Sequence, residues 1–146
     1  ILVSYLDDEY IALKLYKEVC NEEQIVYDDK QLEYVNIFSL IELAKTTNLL
    51  QYDIKLSEDY DISIPEIKLY VNDFLISLND IFLLLTKNKK LNIKVFIKIG
   101  EYEIIEQKKH QIIAIEFIAN NIQPLTTEIL RRARNIYANI YIKMIN

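Results

Sequence analysis

The chain is poor in the residues from which most cofactor and metal sites are built. Its 146 residues include one glycine, one cysteine, one histidine, two prolines, one methionine and no tryptophan. A single glycine, Gly100, is too few for the loops that bring backbone amides close to a pyrophosphate, so neither a dinucleotide fold nor a P-loop is expected, although a helix amino end still offers amides to a phosphate. The lone Cys20 excludes an intrachain disulfide and a thiolate metal cluster, and it points to a cytoplasmic or other reducing compartment. His110 stands in neither an H-E-x-x-H nor a C-x-x-C setting, and the carboxylates Asp28, Asp29, Asp59 and Asp61 lack the turn glycine and distal glutamate of a calcium loop. No metal and no cofactor are expected.

Long hydrophobic runs are also missing. The greasiest stretch, Leu75 to Leu85, is interrupted by Asn79 and Asp80, well short of the roughly 20 apolar residues of a spanning helix. No membrane span is expected. Ile1 to Tyr5 has no basic flank and passes at once into Asp7-Asp8-Glu9, so no secretory signal is visible. A chain that opens on Ile leaves room for residues before it.

What remains is the composition of a folded protein: 51% hydrophobic and 27% charged residues in a chain the size of one domain, able to bury about two-thirds of its unfolded surface. One compact domain over 1–146 is expected. The abundance of Ile, Asn, Lys and Tyr suggests a genome biased toward A and T codons, which lowers the functional weight of the 11 tyrosines. Charge is distributed unevenly. Residues 1–64 carry 5 Lys against 14 acids, a formal −9, and residues 65–146 carry 9 Lys and 3 Arg against 8 acids, a formal +4. The halves either attract one another or present a bipolar surface to a charged partner.

Spacing predicts an α+β chain. A first helix is expected over about 8–20, from Asp7-Asp8 and the series Tyr10, Leu13, Tyr16 or Lys17, and Cys20. A short strand is expected at 25–27, then a helix over 30–47 behind Asp28-Asp29. Short edge strands follow at Tyr52–Leu56 and Asp61–Ile64. Pro65 fits the first turn of a central helix running to about 86. From Asn92 the period changes to 2: Ile93, Val95, Ile97 and Ile99 alternate with Asn92, Lys94, Phe96 and Lys98, a strand with one wet face. Gly100-Glu101 predicts a hairpin to Tyr102–Glu106, Gln107–His110 a second turn, and Gln111–Ile118 a third strand, against which a helix competes. Pro124 and Thr126-Thr127 announce a last helix carrying Ile129, Leu130, Ala133, Ile136, Tyr137, Ile140, Tyr141 and Met144 on one face. The expected architecture is helices packed on a small antiparallel three-stranded meander, with long central and C-terminal helices.

Three functional readings follow. The first is a non-enzymatic protein-interaction, regulatory or inhibitory module, binding another protein or itself, with Phe96 between Lys94 and Lys98 as an aromatic anchor on the wet strand face. Length and composition are compatible with small host-interaction proteins of AT-rich viruses and with toxin-immunity proteins. The second is nucleic-acid binding through Arg131, Arg132, Arg134, Lys108, Lys109, Lys89 and Lys90, with Lys87 beside them. The order helix, three antiparallel strands, helix is similar in topology to double-stranded RNA-binding domains, whose lysine-rich helix start and glycine loops are absent. The third is a small enzyme with an acid/base site, for which His110, Cys20 and a Glu103–Glu116 pair are the candidates, although no residue is assigned a catalytic role.

Overall fold

The computed structural model describes residues 9–18, 32–105, 107–134 and 138–144, with side chains for 33–104 and 107–134. In chain order the elements are β1 (Glu9–Glu18), β2 (Leu32–Val35), α1 (Ile37–Leu49), β3 (Lys55–Tyr60), β4 (Ile67–Tyr70), α2 (Val71–Leu83), β5 (Lys90–Ile105), β6 (Lys108–Ala119), α3 (Thr127–Arg134) and β7 (Ala138–Met144). The fold is α+β. Its main sheet has the order β3-β5-β6-β1-β7, and β2 with β4 forms a separate two-stranded sheet. All pairings are antiparallel except β3 with β5.

The alternation predicted from Asn92 onward holds as far as Ile97 and fails at Ile99, which the bulge exposes, and it decides which face the helices cover. Ile93 and Val95 of β5 and Ile113, Ile115 and Phe117 of β6 are buried in one cluster with Ile37, Ile41 and Ala44 of α1, Phe74, Leu78, Ile81 and Phe82 of α2, and Ala133 of α3. The segment from Gln111 to Ile118 is strand, inside β6. Asn79 and Asp80, which break the apolar run of α2, each find a partner. Asn48 of α1 donates to Asn79 at 2.7 Å, and both Asp80 oxygens accept from Arg132 of α3 at 2.8 and 2.9 Å. Polar residues inside an apolar helix thus tie α2 to α1 and α3.

Several expectations are overturned. Glu9–Glu18 is a strand, not part of a helix. In register, Ile11, Leu13 and Leu15 stand opposite Phe117, Ile115 and Ile113, a period-2 set that outweighs the competing 3.6 pattern because β1 is paired on both sides. Cys20, the expected strand at 25–27, and Asp28 and Asp29 lie outside the described residues. The second helix does not begin at 30. Leu32–Val35 pairs with β4, and Asn36 starts α1 instead, its Oδ1 accepting from the amides of Phe38 at 2.9 Å and Ser39 at 3.4 Å.

Pro65 does not open the central helix, because Ile67–Tyr70 is strand β4, with Ile67 and Leu69 buried and Lys68 exposed. The helix is 13 residues long and starts at Val71. Asp61–Ile64 is a turn in which the Asp61 carboxylate accepts from the amide and hydroxyl of Ser63 at 3.0 and 2.6 Å. These bonds hold the Asp61 carboxyl below its usual range. Nor is Gly100-Glu101 a hairpin. β5 runs on through it to Ile105, and Gly100 supplies a positive φ of 83° at a bulge where the register with β6 shifts between Ile97 and Tyr102. The chain reverses at Gln107, φ 67°, so Lys108–His110 is strand rather than turn.

The long C-terminal helix is likewise replaced. α3 ends at Arg134, and Ala138–Met144 pairs with β1. Two strands therefore separate α2 from α3 and a strand follows α3, which removes the topological likeness to double-stranded RNA-binding domains. The three-strand meander becomes a mixed five-stranded sheet. No described helix is long and apolar enough to cross a membrane.

A charged latch closes α1 onto β3. Lys45 reaches Glu42 of its own helix and Glu58 of β3, the latter at 2.7 Å. Partial burial opposes the ionisation of Glu58, but Lys45 and the Tyr60 hydroxyl together outweigh it and hold the carboxyl below its usual range. Burial, then the Glu58 carboxylate beside it, pushes the Tyr60 phenol well up. The stability contributed by ionised Glu58 is present above its unfolded pKa of 4.5 and is lost as pH falls through the lower folded value. Urea unfolding of Glu58→Gln should show a deficit of about 0.5–1 kcal/mol at pH 7 that vanishes well below pH 4.5. A deficit independent of pH would show that ionisation is not its source.

Candidate functional site

Two places on the sheet concentrate unused binding potential. The first is the far arm of the β5–β6 hairpin. β3 accompanies β5 only from Lys90 to Val95, where Tyr60 is the last partner. Beyond that point, among the described residues, β5 is paired on one side only, by β6. Tyr102 and Ile104 are in register with Gln111 and Lys109, on the parity of the core residues Ile113 and Ile115, yet they are exposed. Ile99 in the bulge is 93% exposed and Ile104 is 73% exposed. The Lys109 ammonium sits 4.0 Å from the centre of the Tyr102 ring. Lys98 pairs with Glu101 at 3.0 Å.

Phe96 lies at the root of this arm, half-buried, on the sheet face away from the helices, opposite Ala114. Lys94 crosses over it, its ammonium 4.9 Å from the ring centre. Phe96 and Lys94 are therefore on one strand and one face, as the alternation predicts, and Lys98 follows on the same strand where the register begins to shift. Spacing puts Ile99 on the apolar strand face and does not mark Tyr102 and Ile104, because Gly100 suits a turn. The available signal was the apolar series continuing past that glycine.

The second place is a trough of about 730 Å³ at the opposite end of β5. Its lining includes Lys55 and Ser57 of β3, Lys87, Lys89, Lys90 and Asn92 around the start of β5, and Asn120 and Asn121 after β6. Lys55 and Lys90 are register partners across the parallel pairing, as are Ser57 and Asn92. Beneath lies Asn88, 3% exposed. Its amide nitrogen donates to the carbonyls of Leu85 and Asn121, both at 2.9 Å, and its oxygen accepts from the amides of Asn120 at 3.1 Å and Asn121 at 2.8 Å. One side chain thus fixes the two loops that carry the trough.

The basic residues expected to act together on nucleic acid are dispersed. Arg131 is bound to Glu128, whose carboxyl it holds below the usual range. Arg132 is bound to Asp80 on the helix side. Arg134 ends α3 and is exposed. Lys108 and Lys109 lie at the hairpin end of β6, roughly 30 Å along the strand from the trough where Lys89 and Lys90 stand. Lys55, which joins those two, was not among the expected residues, since its place beside Lys90 depends on a parallel pairing of segments 35 residues apart.

The acid/base candidates do not assemble as expected. His110 is inside β6, 4% exposed, opposite Glu103 of β5 and Glu18 of β1, and neither ring nitrogen has a hydrogen-bond partner among the described residues. Glu116 stands opposite Lys94 and not Glu103. Asp59 and Asp61 flank Tyr60 at the end of β3, and among the described residues no three His, Cys, Asp or Glu side chains are gathered for a metal. No family model, curated protein or solved structure matches the chain.

Proposed function

We propose that the chain is a non-enzymatic binding module that receives an extended segment of a partner protein along the open side of the β5 arm. The supporting observation is the coincidence, over residues 96–105, of a strand paired on one side only among the described residues and two strongly exposed isoleucines, Ile99 and Ile104. An edge of this kind is a template for strand addition: main-chain bonds supply affinity and alternate side chains supply specificity. The bulge at Gly100 bends the edge and restrains indiscriminate pairing. Phe96 at the root and Tyr102 under Lys109 provide the aromatic anchors, with Lys94 and Lys98 as the cations beside them.

Capture from the source cells with and without nuclease, followed by hydrogen exchange on the purified complex, tests this reading. A nuclease-insensitive, stoichiometric protein that protects the amides of residues 96–105 supports it. Nuclease-sensitive recovery, or protection confined to other elements, overturns it. Ile99→Lys with Ile104→Lys should weaken such a complex more than tenfold, while exposed sites of this kind shift folding stability by only about 0.5 kcal/mol.

A further inference from the structure

We infer that the lysine trough between β3, β5 and the loop after β6 is a binding site for a small organic phosphate carrying more than one negative charge. Four lysines, Lys55, Lys87, Lys89 and Lys90, line it, and no acidic residue does. Among the described residues none of these four makes an ion pair, whereas Lys45, Lys98, Arg131 and Arg132 each hold a carboxylate. In a chain of formal charge −5 four lysines without a carboxylate partner among the described residues thus share one concave place.

Local energetics argue in the same direction. Lys55 and Lys90 are directly in register on adjacent strands, and the Lys55 amide donates to the Lys89 carbonyl at 2.8 Å, which keeps the strands close. Like charges placed opposite one another repel, and an anion shared between them reverses the sign of the interaction. Ser57, Asn92, Asn120 and Asn121 add neutral donors around the lysines, the mixture of point charges and amides that suits phosphate oxygens. Leu56 and Ile118, both partly buried, supply an apolar wall. The volume matches a ligand of nucleotide size. A free ligand fits better than a nucleic-acid strand, because the other basic side chains among the described residues do not continue the trough into a track.

Titration of the whole chain with ATP, inorganic triphosphate and a short poly(dT) strand, followed by amide NMR and calorimetry, tests the assignment. ATP is expected to shift the amides of Lys55, Ser57, Lys90 and Asn121 and to bind more tightly than triphosphate. Lys55→Gln with Lys90→Gln should weaken ATP about tenfold or more, and Lys68→Gln with Lys109→Gln should leave it unchanged. The assignment is overturned if millimolar ATP shifts none of those amides or if the Lys55/Lys90 variant binds as well as the parent. Equal binding of triphosphate would remove the organic part of the assignment. Binding of poly(dT) without ATP would replace it with a strand.

Discussion

Phe82→Ala should lower the unfolding free energy by about 3–5 kcal/mol. Phe82 is fully buried on α2 and meets Phe117 of β6 edge-to-face, ring centres 5.4 Å apart. This pair is where the helical layer and the centre of the main sheet touch, so truncation removes both the transfer free energy of the ring and an aromatic contact of about 0.5–1.5 kcal/mol. Ile81, Phe74 and Leu78, all fully buried, surround the site on the same helix, and a close-packed wall collapses only partly into the space left. Against a typical total of about 5–15 kcal/mol the loss is a large share. Urea denaturation measures it, with Phe82→Leu expected to lose clearly less. A loss below about 1 kcal/mol for the alanine variant would place the folding core elsewhere.

Asn88→Ala comes second, with an expected loss of about 2–3 kcal/mol. The side chain is nearly inaccessible and makes four hydrogen bonds, two as donor and two as acceptor, all to the backbone. Removing it strands the amides of Asn120 and Asn121 and the Asn121 carbonyl, while the Leu85 carbonyl keeps the backbone amide of Asn88 at 3.1 Å, and each unmet group of this kind costs about 1–3 kcal/mol. Asn88→Asp separates hydrogen bonding from packing. The variant keeps the two acceptors but sets a carboxylate against two carbonyl oxygens. Burial and the two facing carbonyl oxygens raise the folded pKa of the introduced carboxyl above its unfolded value near 4. Stability is then lost as pH rises from the unfolded value and regained on acidification, when the protonated oxygen donates again. A pH-independent deficit in Asn88→Asp would argue against the hydrogen-bonding role. Because Asn88 anchors the loops of the trough, its alanine variant should also weaken ATP binding there.

The elements legible in sequence were those whose signal is local. Ile93, Val95 and Ile97 alternate without interruption, and their strand was recovered with the correct buried face. The apolar stripe of Phe74, Leu78, Ile81 and Phe82 marked α2. Its start was misplaced because Pro65 suits a helix amino end and a strand approach equally, and only the pairing of Ile67–Tyr70 with β2 separates them. Gly100 illustrates the same ambiguity. Positive φ serves a hairpin or a bulge, and the register of β6 decides for the bulge.

The candidate sites were less legible than the fold. Lys89 and Lys90 were visible as a basic cluster, but Lys55 reaches them through a parallel pairing that no local pattern announces. Arg131 and Arg132 looked like free cations until α3 was set against α2 and Glu128 and Asp80 came within reach. Ile99 and Ile104 became an exposed arm only because β3 stops at Tyr60 and β5 does not.

By itself the sequence determined the α+β composition, the two-faced strand from Asn92 to Ile97, the apolar face of α2, and the lack of a glycine-rich phosphate loop. Tertiary structure alone decided that Glu9–Glu18 and Ala138–Met144 are strands, where β5 bulges, and which lysines share a trough. Helices close their hydrogen bonds within four residues and so write their signal locally, whereas a strand borrows its partners from distant segments. A short apolar stretch therefore takes its final state from whichever neighbour completes its bonds.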